Sequence, residues 1–449
     1  MRKHPDQEDG QIPDVGKHVI VVGSDGEPLK PVRCDPKAAT RPEFDSHVST
    51  ILRGLEEEPH GKILIFIHGG LNTYAQSFDR ATRLIPLIRN AGYYPIFVNW
   101  RSGLVDCYRE HLFSVRQGRV HRNYWWLTWL YLLTADLGRA IFRSPAAIYL
   151  QLINDCKPYF PGSNPDGLNS AALFDALKKR RRSAKHVEAL GISMGADVRT
   201  RIESLIKLVL LLITYFPKLF SGAVVDAFGT SAWVNMLRRT KTLFRTPQEF
   251  DVRDSREKHT VIDGALDTPQ TGALALFVTA LVKKLGSGAR PFEITMVGHS
   301  MGTMVLNRLL KDFPRLACAN LVYLAAACSI SEFIDSAVSY LDLHKETRVF
   351  NLCLHPIAEE LESNALELSP RGSLLVWIDN FMSSPETTAD RRLGVWENIL
   401  QATHMIPQHL RGRITLKAFS VGRNAGPPQT HSELGSVDFW SPSVWEAEN

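Results

Sequence analysis

Three things are scarce in this chain. No stretch of ~18–20 residues is both apolar and free of charge, the length a membrane-spanning helix needs, so no spanning helix is expected. Cysteine is rare. The six residues, Cys34, Cys107, Cys156, Cys318, Cys328 and Cys353, are scattered, several lie in apolar runs, and no pair has metal-ligand spacing. This excludes a disulfide framework and a cysteine metal centre, and it points to buried thiols in a reducing compartment, an intracellular, cytoplasmic protein. Charge of one sign is nearly balanced: a formal net charge of +5 over 449 residues gives no case for nucleic acid. Residues 1–6 are polar and have no apolar core, so no secretory signal is expected. Long repeats are missing as well, apart from one short echo described below.

What is present is an ordinary globular composition, 44% hydrophobic and 22% charged, in a chain long enough for one large domain with an insertion. The most informative stretch is 292–302. An apolar run of strand length ends in Gly298-His299-Ser300-Met301-Gly302, and an apolar-periodic segment over 303–310 follows at once. Strand, sharp turn and helix put a serine at the apex of the turn. Neighbours without bulk relieve crowding there, and the helix N-terminus beneath favours developing negative charge. Ser300 is therefore the candidate nucleophile, with His299 beside it.

The second stretch is 62–73. A continuous apolar run, the pattern of a central strand buried on both faces, ends in His68-Gly69-Gly70. A glycine pair lets the backbone approach a ligand and leaves N–H groups free. Gly70 and the residue after the serine, Met301, are the candidate oxyanion donors. Gly69 supports that loop, and His68 is expected to hold it by a hydrogen bond.

The remaining pattern alternates. Residues 1–16 read as a disordered tail, 18–22 as a strand, 44–55 as a helix, 74–91 as a helix and 94–100 as a strand. After 271 come a helix over 273–285, strands over 320–327, 348–354 and 415–421, and a helix over 331–341. Strand–helix–strand units of this spacing predict an α/β fold, a mostly parallel central sheet flanked by helices. The core is expected over 17–119 and 271–449. Between them, 120–270 loses the alternation and reads as an inserted, mostly helical cap or interaction subdomain. It contains an aromatic run over 124–133 and an apolar run over 205–220 that can cover the active site or rest on a membrane surface. It also contains a basic cluster, Lys178 to Arg182, which reads as a solvated helix end, with anionic lipid or a localisation signal as the other uses. The echo, Gly191-Ile192-Ser193-Met194-Gly195, lacks a buried strand before it and an apolar helix after it, so Ser193 is set aside.

Strand–His-Gly-Gly, then strand–Gly-His-Ser-Met-Gly–helix, two further strands and a last strand–loop–His together resemble an α/β-hydrolase of the serine esterase or lipase type. The resemblance covers 1–119 and 271–449. It implies a Ser–His–acid triad in chain order, with the histidine on the loop after the last strand. His431 fits that place, behind the Gly/Pro-rich 422–428. It also implies cleavage of a carboxylic or lipid ester through an acyl-enzyme, with no metal and no organic cofactor. The acid should follow the strand over 348–354. No aspartate stands there; Glu359 is the first choice, with Glu360, Glu362 and Asp379 as alternatives. The rival expectation is a non-catalytic protein of the same fold that binds a partner or membrane through its aromatic insertion.

Overall fold

The computed structural model describes residues 14–113, 115–116, 119–120, 125–156, 215–245, 271–287, 291–362, 372–419 and 428–445. Its centre is an eight-stranded sheet built from β1 (Val19–Val22), β2 (Pro28–Leu29), β3 (Lys62–Ile67), β4 (Tyr94–Trp100), β5 (Glu293–His299), β6 (Asn320–Leu324), β7 (Arg348–Cys353) and β8 (Ile414–Ala418). The spatial order is β8-β7-β6-β5-β3-β4-β1-β2. All neighbours are parallel except β1 and β2, so the fold is α/β. The apolar runs explain the middle strands: every residue of β3 and β5 after the first is buried, as a parallel strand covered on both faces requires.

Helices flank the sheet, and two of their starts are written locally. In α1 (Arg41–Glu57), Thr40 accepts from the Glu43 N–H while Glu43 reaches back to the Thr40 backbone. In α2 (Tyr74–Asn90), Thr73 and Gln76 form the same reciprocal cap. The helix α3 (Leu104–Phe113) follows β4. Two long helices come next, α4 (Trp125–Cys156) and α5 (Tyr215–Thr242), then α6 (Ala273–Ser287) and α7 (Gly302–Asp312). Thus the described part of the inserted region is helical apart from Val120, which ends a two-residue strand, and the turn over 243–245.

A buried polar knot fixes that region to the core. Asp136 on α4 accepts from Tyr108 Oη (3.2 Å) of α3 and from Ser231 Oγ (2.9 Å) of α5. Its neighbours His111 and Arg139 lie at 3.1 Å. Asn235 of α5 donates to the Cys107 carbonyl at 2.9 Å, and Arg239 donates to Glu110 at 3.1 Å and to the Arg101 carbonyl at 3.0 Å.

Several boundaries differ from expectation. Asp14–His18 form a 3₁₀ turn with Gly16 and His18 buried, so 14–16 belong to the fold; 1–13 lie outside the described residues. The strand expected over 320–327 stops at Leu324, because Ala325 turns to φ 44° and the chain leaves the sheet. Ser193, the basic cluster 178–182 and 205–214 lie outside the described residues. Within the aromatic run, Leu130 and Tyr131 are exposed, as is Phe220 on α5. Among the described residues no helix is long and apolar enough to cross a membrane.

Candidate active site

The sheet order creates the site. From β3 the chain moves outward to β4 on one side; after the insertion it resumes at β5 on the other and continues outward through β6, β7 and β8. The boundary between β3 and β5 is a topological switch point, where the loops beyond the carboxyl ends of the strands part and leave a crevice. Ile67 pairs with Gly298, so the loops carrying Gly69-Gly70 and Ser300 emerge side by side.

The turn at Ser300 is tight and clamped. Ser300 adopts φ 51°, a left-handed conformation that costs a non-glycine residue about 1–3 kcal/mol and persists only where the surroundings enforce it. Those surroundings are visible. Its N–H donates to the Leu324 carbonyl at 2.8 Å, and its carbonyl accepts from Ala327 N (3.1 Å), Thr303 N (3.1 Å) and Thr303 Oγ1 (2.7 Å). The glycines permit the approach of neighbouring loops. A Cβ on Gly302 would stand 2.1 Å from the Ile67 carbonyl oxygen, and one on Gly69 would stand 2.7 Å from Ser300 Cβ.

His431 opens a short helix, His431–Leu434, capped by Thr430, whose side chain accepts from Glu433 N. Its Nε2 lies 3.0 Å from Ser300 Oγ, and both residues are buried. Burial pushes the His431 imidazole down from 6.5 to about 4, so the ring is neutral at physiological pH and can accept a proton. Its Nδ1 has no hydrogen-bond partner among the described residues.

The structure does not bring Glu359 to that ring, and this corrects its choice as the acid. Glu359 is buried beneath Ser373, whose Oγ–H donates to Glu359 Oε1, while Oε2 is unpartnered. Burial first, then the neighbouring carboxylates Glu362, Glu397 and Asp379, hold its pKa well above the carboxylate range. With Oε1 bonded to Ser373 and no hydrogen bond to either nitrogen of His431, this carboxyl is not placed to stabilise an imidazolium.

Asp379 is occupied elsewhere. It accepts from Arg392 N and Nε, each at 3.2 Å, and from Asn398 Nδ2 at 2.9 Å. The side chain of Glu360 lies outside the described residues. Glu362 is the carboxylate that meets His431: its Oε2 accepts from the His431 main-chain N–H at 2.9 Å. Burial raises its pKa and that hydrogen bond opposes the rise.

Two further histidines, His68 and His299, hold backbone in these loops. The Trp100 N–H donates to His68 Nε2 at 3.1 Å, which leaves Nδ1 protonated and donating to the Gly69 carbonyl at 2.7 Å. Burial lowers the His68 pKa to about 4, and the neutral ring stacks on Trp100 and fixes the loop. His299 Nε2 donates to the His431 carbonyl at 3.3 Å, and its ring lies 5.4 Å from that of His431. Burial foremost, and then His431, holds its pKa well below the ordinary range.

The N–H groups of Gly70 and Met301 have no acceptor among the described residues, and both residues line the small cavity above Ser300. Met301 also caps α7, so its N–H stands at a helix N-terminus, where negative charge is favoured. The rest of the cavity wall is Leu71, Leu104, Trp233, Met236, Leu374, Ile378 and Met382. Leu71 follows Gly70 in the loop after β3; sequence reasoning missed the rest of this wall, because its members come from α3, α5 and the 374–382 segment and share no motif. It also missed Ser102 and Asn72, which hold the Gly69 carbonyl at 3.1 Å each.

Among the described residues no cluster of three or more His, Cys, Asp or Glu is placed to hold a metal ion. Comparison of the chain with protein-family models, with curated proteins and with solved structures finds no match.

Proposed function

We propose that this chain is a serine hydrolase of the α/β-hydrolase type that cleaves carboxylic esters, lipid esters included, through an acyl-enzyme on Ser300. The observation that carries this reading is the 3.0 Å contact between Ser300 Oγ and a neutral His431 Nε2 at the switch point of a parallel sheet. A serine hydroxyl is a poor nucleophile at neutral pH and needs an adjacent base.

In the proposed path Ser300 Oγ attacks the ester carbonyl carbon as its proton passes to His431 Nε2. The oxyanion lies toward the Gly70 and Met301 N–H groups, where one lost donor would cost about 10²–10³ in rate. The carbonyl–alkoxide bond then breaks, and His431 returns the proton to the alcohol. Water, deprotonated by the same nitrogen, releases the acid and restores Ser300. Glu362 holds His431 through its main-chain N–H, and His68, Gly69 and His299 keep the two loops in register. No step draws on a metal or organic cofactor. An intracellular, cytoplasmic setting is part of the proposal, supported by the free cysteines, four of the five described ones being buried.

A non-catalytic binding protein is the second reading, and one observation favours it: His431 Nδ1 meets no carboxylate. Labelling with a fluorophosphonate, followed by peptide mapping, separates the two. The expected adduct lies on the Ser300 peptide of the wild type and of Ser193→Ala, and is lost in Ser300→Ala. Folded wild-type protein that takes no label would leave the binding reading, with the exposed aromatic face of α4 and α5 as the surface to test on lipid vesicles.

A further inference from the structure

The cavity over Ser300 has a chemistry of its own. Its wall is almost entirely carbon and sulfur: Trp233 and Met236 from α5, Leu374, Ile378 and Met382 from the segment that follows 363–371, and Met301. All but Leu374 are buried. The guanidinium of Arg392 lies over the Trp233 ring, 5.8 Å from its centroid, but it is already bound by Asp379 and by the Ala327 carbonyl. An acyl chain carrying a carboxylate would therefore enter without a partner, at a large desolvation cost. The free space is only about 10 Å³, room for about one water molecule.

The walls differ in how far they can yield. Trp233 and Ile378 are stiff. Met236 and Met382 have three rotatable bonds each and adapt to what they touch. Their placement makes them the moving parts. A Cβ on Gly70 would lie 2.9 Å from Met301 Sδ and 3.5 Å from Met236 Sδ, so Met236 reaches the Gly70 side of the cavity beside Met301, whose backbone is fixed in the Ser300 turn. A Cβ on Gly229 would lie 2.8 Å from Met382 Cε, so Met382 closes the gap between α5 and the 374–382 segment.

We propose that Ser300 accepts short, unbranched, uncharged acyl groups, and that Met236 and Met382 set the limit on chain length. The proposal rests on the reading of Ser300 as an acyl-accepting serine. It gives the inserted helix α5 a defined task, as the wall that selects the acyl group.

The test is kcat/KM of the full chain on p-nitrophenyl acetate, butyrate, octanoate, dodecanoate and trimethylacetate, and on the p-nitrophenyl half-ester of succinic acid, with fluorophosphonate labelling run alongside. One methylene in an apolar pocket changes kcat/KM by about 10–200-fold, so the steps are measurable. The expected wild type prefers butyrate to dodecanoate and to trimethylacetate by about 10-fold or more, and to the succinic half-ester by about 100-fold or more. Met236→Ala and Met382→Ala should raise octanoate relative to butyrate by about 3-fold or more, and Met382→Phe should lower butyrate relative to acetate. Labelled enzyme that cleaves the half-ester as fast as butyrate, or whose chain-length profile no variant moves, overturns the acyl-pocket assignment alone. Absence of both label and turnover overturns the reading of Ser300, and this assignment with it.

Discussion

Ser300 Oγ and His431 Nε2 lie 3.0 Å apart although 131 residues separate them along the chain. Removing either partner should leave the fold and take the chemistry. Ser300→Ala is expected to abolish fluorophosphonate labelling and ester turnover. His431→Ala should lower kcat/KM by about 10²–10⁴, the usual contribution of a positioned base. Circular dichroism of both variants should match the wild type. A His431→Ala enzyme with full activity would remove the histidine from the mechanism.

The pH profile follows from His431. Attack needs the neutral ring, so activity is present above the histidine pKa and lost as pH falls through it. Burial brings that value from 6.5 to about 4. The acid limb of kcat/KM should therefore have its midpoint near pH 4, with the fold monitored at each point by near-UV circular dichroism. A limb near pH 6.5 or above would mean that a carboxylate closes on Nδ1 in solution.

Glu359, which is buried, and Glu362, which is half-buried, should separate in their effects. Glu359 accepts from Ser373, not from His431, and burial pushes its carboxyl toward the neutral form, so Glu359→Gln keeps its shape and its accepting oxygen, and kcat should change by less than about 3-fold. Glu362 holds the main chain of His431, and Glu362→Ala removes that acceptor. A hydrogen bond of this kind is worth about 1.5–3 kcal/mol where the acceptor is charged, so kcat should fall by about 10-fold or more, with KM little changed. Glu362→Gln, which retains an accepting oxygen, should recover much of the loss. Equal effects of Glu359→Gln and Glu362→Ala on kcat would refute the distinction.

Asp379 predicts a stability effect instead. It is buried with Arg392, and Arg392 in turn braces Ala327 and backs Trp233. Asp379→Ala leaves a buried guanidinium without its partner, which typically costs about 3–5 kcal/mol. Urea unfolding should show a lowered midpoint at unchanged slope. A variant as stable as the wild type would mean that water reaches Arg392.

The sequence carried what local pattern controls. Strand β3 is a continuous apolar run after Lys62, β5 is apolar apart from Thr295 between Glu293 and His299, and Thr40 and Thr73 announce their helices through a Glu or Gln three residues on. The turn at Ser300 needs its glycines for close approach, and that need is visible in the residue types. His431 is singled out only by the chain order that the resemblance to α/β-hydrolases implies, and the structure sets its ring 3.0 Å from Ser300 Oγ. Glu362 could not be told from Glu359 or Glu360, because three carboxylates within one turn share a composition and differ only in direction. The end of the short helix Pro356–Leu361 decides which one meets His431. Trp233 and Met236 were hidden for a related reason: α5 is apolar over much of its circumference, and tertiary packing alone selects the residues that reach the serine.

The arrangement of β3 and β5 also bears on how the molecule is made. These neighbours lie on opposite sides of the insertion in the chain, so the Ser300 crevice cannot exist until a very long loop has closed. Contacts of such wide sequence separation form late, after local helices have already appeared. A refolding chain should therefore regain its helical signal before the contact of Ser300 with His431, and a ribosome-bound chain ending before β5 would carry the glycine loop facing nothing.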